Sequence, residues 1–134
     1  MKRQMSQSCP CFSGKLYKDC CQPLHKGKIA ATPVALVRSR YAAYALGKFG
    51  YVYKTWHPQS PLIGRNQTQW RNSVKQLTQQ TTFAGLRILD QAQIDGVETV
   101  KFHAILFQGA QDVSFIETST FLKKAGRWLY FDSI

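Results

Sequence analysis

Four cysteines stand within the stretch CPCFSGKLYKDCC, Cys9 to Cys21, and the remainder of the chain contains none. Thiolates can act as nucleophiles, as redox couples or as metal ligands. Cys20 and Cys21 are adjacent and Cys9 and Cys11 are separated by one residue, so a disulfide within either pair would be strained. Cross-pairing is conceivable, but four thiolates drawn together by one short loop are what a tetrahedral zinc ion needs. Zinc is therefore the expected occupant, with a redox or disulfide role and iron as alternatives. With four sulfurs the coordination sphere is full, and such an ion is structural, with no open position for water. Gly14 can supply a left-handed turn in the loop, and Pro10 holds the chain extended between the first two ligands.

The elements that follow are organised differently. Residues 23–31 read as a basic linker. Thr32-Pro33 has the form of an N-cap followed by the first helical residue, and Val34, Val37, Tyr41, Tyr44 and Ala45 repeat at helical spacing. Gly47 and Gly50 interrupt the pattern, and YVYKTW leads into His57-Pro58, where a residue before proline is driven toward extended geometry. Asn66 can cap a second helix with Trp70, Val74 and Leu77 on one face. After Thr81 the period changes to two: FAGLRILDQ, VETVKFHAILF, DVSFIETSTFL and RWLYFDS alternate as strands, joined by short glycine-bearing connections. Helices first and then a four-stranded antiparallel meander define an α+β fold, with helices on one face of a curved sheet.

At 134 residues with 44% hydrophobic content the chain can build one ordinary core. Its net charge is +11, and residues 1–30 hold Lys2, Arg3, Lys15, Lys18, Lys26 and Lys28 against Asp19 alone. A basic balance admits nucleic acid, an anionic surface or an acidic protein as partner. No apolar run is long enough to span a bilayer, and MKRQMSQS is followed by no apolar segment of the signal-peptide kind, so a cytoplasmic setting is expected. There is no phosphate loop and no dinucleotide fingerprint, and no serine is placed beside a histidine as a hydrolytic triad would need.

The C-x-C-x8-C-C spacing resembles the SEC-C motif, a small zinc-binding module. Cys9, Cys11, Cys20 and Cys21 fall on its ligand positions, and Pro10, Ser13, Gly14, Lys15, Tyr17 and Asp19 match its usual fillers. Phe12 stands where the motif commonly has glycine, which would strain the loop if that position requires a positive φ. Beyond the motif, RSRYAAY (Arg38 to Tyr44), KTWHP (Lys54 to Pro58) and the segments around Phe115-Ile-Glu117 and Trp128-Leu-Tyr130-Phe-Asp132 resemble the YchJ family. That resemblance implies a SEC-C segment in residues 1–30 joined to a nuclear transport factor 2-like domain in residues 31–134. It implies no established activity.

The nuclear transport factor 2-like fold is a cone whose curled sheet encloses a pocket under helices. By parity Phe115, Glu117, Ser119 and Phe121 share one face of their strand, and Trp128, Tyr130 and Asp132 share one face of theirs. Glu117 and Asp132 are thus candidate pocket carboxylates, with Arg40, Tyr41, Trp56 and His57 offered from the helical cover. A carboxylate among aromatics has the setting of a general acid or base, and a histidine is the side chain that exchanges protons most readily near neutral pH. Against these stand structural roles: an Arg40–Glu117 ion pair, an exposed Asp132, a His57 that only shapes a bend, and a His103 at the edge of the core.

Three functions are consistent with the sequence. The first is a zinc-containing protein-interaction adaptor, its basic SEC-C segment meeting an acidic partner. The second is a small-molecule binder or enzyme using the cone. The third is association with RNA or the ribosome, which would be steeply salt dependent. Cone folds of this type also form homodimers through the sheet.

Overall fold

The computed structural model describes residues 7–134, so Lys2 and Arg3 of the basic N-terminal stretch lie outside the described residues. A 3₁₀ turn at Tyr17–Asp19 precedes helix α1 (Cys21–His25), and the longer helices are α2 (Pro33–Leu46), α3 (Phe49–Lys54) and α4 (Gln67–Gln80). Strands β1 (Thr82–Ile94), β2 (Val97–Gln108), β3 (Gln111–Asp112), β4 (Phe115–Lys124) and β5 (Arg127–Ser133) follow. The sheet is antiparallel in the order β1-β2-β4-β5, with the two-residue β3 paired to β2. It is the expected α+β meander, helices first.

Local chemistry sets the helix starts. The Thr32 side chain accepts from the Ala35 N–H at 3.1 Å with Pro33 behind it, and the Asn66 side chain accepts from the Gln69 N–H at 2.9 Å. Gly47, at φ 72°, ends α2 in the left-handed conformation. Packing of α2 departs from the expected single apolar face. Val37 and Tyr41 face the sheet, Ala42 meets the cysteine segment, and Ala43 meets α3, so the helix is covered nearly all round. Conversely α4 buries only Val74 and leaves Leu77 exposed.

The stretch from Asp112 to Leu122 is divided where a single strand is expected. The Asp112 carboxylate accepts from the Ser114 N–H at 2.8 Å, and the Ser114 hydroxyl accepts from the Leu106 N–H at 2.9 Å. Side chains thus take over backbone bonds at the break between β3 and β4.

Two irregularities bring the helices onto the sheet. Between Phe83 and Gly85 the β1–β2 register slips by one residue. The Tyr41 hydroxyl enters that bulge, accepting from the buried Gly85 N–H at 3.1 Å and donating to the Ile105 carbonyl at 3.4 Å. At the opposite edge, Thr55–His57 runs beside β5: the His57 N–H donates to the Tyr130 carbonyl at 2.8 Å and the Tyr130 N–H to the Thr55 carbonyl at 2.9 Å. The helical cover is therefore bonded to the sheet on two sides of one space.

Candidate functional site: a cone cavity and a cysteine cluster

The space between α2 and the concave face of the sheet is a cavity of about 170 Å³. Most of its wall is apolar, from residues such as Val37, Phe83, Leu86, Phe102, Leu106 and Phe121. Leu77 and Phe115, more than 40% exposed, mark its mouth. Its polar side chains are Arg40, Glu117, Ser119 and the polar-tipped aromatics Tyr41, Tyr44, Trp56 and Tyr130.

Arg40 is 7% exposed. Its Nη1 donates to the Val52 carbonyl at 2.9 Å and to the Thr55 hydroxyl at 2.8 Å. Its guanidinium carbon lies 4.9 Å from the ring centre of Trp56 and 4.8 Å from that of Tyr130. Burial lowers its affinity for the proton, while the nearby hydroxyls of Tyr44 and Tyr130 and the Glu117 carboxylate act in the opposite sense. Glu117 accepts from the Ser119 hydroxyl at 2.5 Å and from the Tyr130 hydroxyl at 3.2 Å, both through Oε2. No hydrogen bond joins it to Arg40, so the two charges share a cavity wall without forming the direct ion pair weighed from sequence. Tyr130 and Tyr44 are held well above the ordinary phenol range, chiefly by burial, and Tyr41 is pushed up to about 12 for the same reason.

Of the six pocket candidates, Arg40, Tyr41, Trp56 and Glu117 line this cavity, and His57 and Asp132 do not. Trp56 and His57 are consecutive in an extended segment, so one side chain points in and the next points out. The His57 Nδ1 accepts from the Gln59 N–H at 3.1 Å, and the ring meets Phe131 edge-on. For Asp132 the cause is a bulge in β5: Tyr130 pairs with Phe121 but Asp132 pairs with Thr120, leaving Phe131 as the extra residue. The parity expected for Trp128, Tyr130 and Asp132 is broken there, and the Asp132 carboxylate instead accepts from the Ser133 N–H. Tyr44, absent from the sequence candidates, also lines the cavity; its helical spacing from Tyr41 marked it only as core.

The four cysteines form the second centre. All four Sγ atoms lie within 4.8 Å of one another, with Cys11–Cys20 at 3.6 Å and Cys20–Cys21 at 3.9 Å. Sulfurs around a tetrahedral ion at ~2.3 Å would stand roughly 3.8 Å apart, so the donor set fits a single metal ion. No disulfide joins them. The Cys11 thiol is driven far down because Cys21 and Cys9 donate to its sulfur; the same bonds push Cys9 up to about 12 and Cys21 higher still. Only a cation would let all four be thiolates together.

The loop that carries the cysteines has Phe12 at φ 61°, so the position does adopt the left-handed conformation for which glycine is the usual residue. Phe12 is 48% exposed, and its ring meets the Tyr41 ring edge-on at 6.2 Å. Two further bonds anchor the segment to α2. Arg38 Nη1 donates to the Cys11 carbonyl at 3.0 Å. His25 Nε2 donates to the Ser39 carbonyl at 2.8 Å, which leaves Nδ1 to accept from the Tyr17 hydroxyl at 2.7 Å. His25 was not singled out in the sequence, where it reads as part of the linker.

Fold and site together define a nuclear transport factor 2-like cone with a cysteine cluster, able to hold a metal ion, packed on its principal helix. The chain belongs to the YchJ family: the family's middle NTF2-like domain matches residues 32–133, and the SEC-C motif matches residues 5–23. A UPF0225 protein of Deinococcus radiodurans is 40% identical over 126 residues, covering 93% of this chain and 87% of the relative. The UPF0225 protein YchJ of Shigella dysenteriae is 35% identical over 139 residues, covering 96% and 83%. The solution structure of a SEC-C motif containing protein from Rhodopseudomonas palustris is similar with a TM-score of 0.80 at 35% identity, covering 96% of this chain and 98% of that one. A crystal structure of a SEC-C motif containing protein from Psychrobacter arcticus has a TM-score of 0.74 at 25% identity, covering 97% and 83%. Among the described residues no helix is long and apolar enough to cross a membrane.

Proposed function

We propose that this protein binds a small ring-containing molecule in the cavity of its cone, and that a structural zinc ion on the four cysteines fastens the segment that braces the cavity's helical wall. The observation carrying this reading is the pairing of an apolar cavity with charged groups, Arg40 and Glu117, placed in its lining but not bonded to each other. Ligand sites have this composition: mostly apolar walls with a few convergent polar groups. Charges are expensive to bury without a purpose or a direct partner. Zinc would be held by Cys9, Cys11, Cys20 and Cys21, with no open position, and would contribute folding energy to a segment too short for a core of its own. A cytoplasmic setting, where thiols stay reduced, suits four free cysteines.

The test is a thermal-shift series with small ring compounds. A ligand that binds only the folded protein raises the melting temperature with concentration. The rise should vanish in Ala104→Phe, which fills the cavity from its wall.

A second reading, the zinc-containing adaptor, has its own support. A groove of about 240 Å³ between the linker and β5 is lined by Lys28, Lys54 and Arg127 with Trp128 and Ile29, and by no carboxylate. Such a groove favours an acidic segment of a protein partner. Charge reversal at Lys54 and Arg127 together should abolish capture of an acidic peptide while leaving cavity binding unchanged.

A further inference from the structure

Resting on the cavity reading above, we infer that the ligand is an uncharged single ring bearing one hydrogen-bond acceptor and one donor side by side, as in a primary amide or a lactam. Among the described residues, the hydrogen bonds from Arg40 to Val52 and Thr55 both leave from Nη1, and the Tyr44 hydroxyl beside the guanidinium can occupy at most one further N–H. A guanidinium has five N–H groups, so those on Nη2 and Nε keep donor capacity inside a residue that is only 7% exposed. Across the same wall, both bonds that Glu117 accepts from the described residues fall on Oε2, and among those residues Oε1 remains an open acceptor. The cavity thus offers a donor and an acceptor to one head group.

The charges at that wall select against ions. A carboxylate ligand would gain Arg40 and meet Glu117 as a like charge; an amidinium would gain Glu117 and meet Arg40. A neutral head that accepts from one and donates to the other satisfies both, and brings no net charge to be desolvated. The remainder of the lining is aromatic and aliphatic, which favours a ring. Its size limits that ring: an engineered apolar cavity of ~150 Å³ takes up benzene, and this one measures about 170 Å³.

Four probes on one ring decide the matter: benzamide, benzoate, benzamidine and toluene, each titrated into the full-length, zinc-loaded protein. Benzamide should bind tightest, at least about tenfold over the other three, the scale of one satisfied charge-assisted hydrogen bond. Glu117→Gln removes the charge that repels benzoate and should narrow the benzamide-to-benzoate ratio about tenfold. Benzoate or benzamidine binding tightest to the wild type would overturn the inference, as would four equal affinities, although the cavity reading would then survive. Failure of every ring to bind would instead remove the cavity reading itself. The wild-type series is decisive even if Glu117→Gln does not fold.

Discussion

The ring of Tyr130 lies 4.8 Å from the Arg40 guanidinium carbon, and the hydroxyl of the same tyrosine donates to Glu117 at 3.2 Å. One side chain of β5 therefore touches both charges of the cavity and sets the distance between them. Tyr130→Phe keeps the ring beneath Arg40 and removes only the bond to Glu117. It should lower stability by about 0.5–1.5 kcal/mol, whereas Tyr130→Ala should cost roughly 3–5 kcal/mol. Urea midpoints of the two variants check the difference.

Tyr41 closes the bulge in β1 with its hydroxyl. In Tyr41→Phe the buried Gly85 N–H loses its acceptor, and unfolding free energy should fall by about 1–3 kcal/mol. Amide exchange at Gly85 should quicken by more than global destabilisation accounts for.

Phe12 sits at φ 61° beside Tyr41. Phe12→Gly relieves a left-handed backbone strain of roughly 1–2 kcal/mol but loses an aromatic contact of about 0.5–1.5 kcal/mol and gains unfolded-state entropy. Phe12→Ala loses the contact and keeps the strain. The glycine variant should therefore melt at or above the alanine variant, and competition with a chelator should show it holding metal no more weakly.

His25 is held below the ordinary imidazole range, first by burial and then by Lys48 and Lys54, with the Ser39 carbonyl and Cys11 opposing. Its proton affinity is thus lower in the folded state than in the unfolded state. The stability this represents is present above the ordinary histidine range and is lost as pH falls through it toward the folded value. Protonation would also remove the acceptor of the Tyr17 hydroxyl. His25→Gln, which has no such titration, should lose less stability than wild type between neutral pH and mildly acid pH. Comparing the two proteins at each pH cancels the protonation of cysteines common to both.

Much of this arrangement was legible in the sequence because periodicity and spacing are local. The change from helical to alternating pattern near Thr81 separates cover from sheet, and the four cysteines announce their cluster by proximity alone. Glu117 and Ser119 were placed on one face by parity, and they do share the cavity lining. Parity failed at Asp132 because Phe131 is an extra residue in β5, and nothing in RWLYFDS marks it. Likewise the bulge that receives Tyr41 lies more than forty residues from it in the chain, so no local window contains both. The all-round burial of α2 arises from three different neighbours, which a single helical period cannot represent.

Metal removal should act unevenly. The segment from Cys9 to His25 depends on the cluster, and α2 feels it through the Arg38–Cys11 and His25–Ser39 bonds. Chelation, or Cys20→Ser with Cys21→Ser, should release protection from exchange in that segment and soften it around Ala42, while β1, β2, β4 and β5 keep theirs. Loss of protection throughout the sheet would contradict a staple acting on one helix.

The most direct measurement follows the methyl resonances of Leu86 and Leu106, both buried in the cavity wall, as benzamide is added. Binding within the cone predicts saturable shifts at these methyls and at Ala104, with none at residues around the Lys54–Arg127 groove, and predicts their loss in Ala104→Phe. Unmoved methyls at saturating benzamide, or shifts that persist in the filled variant, would contradict the account.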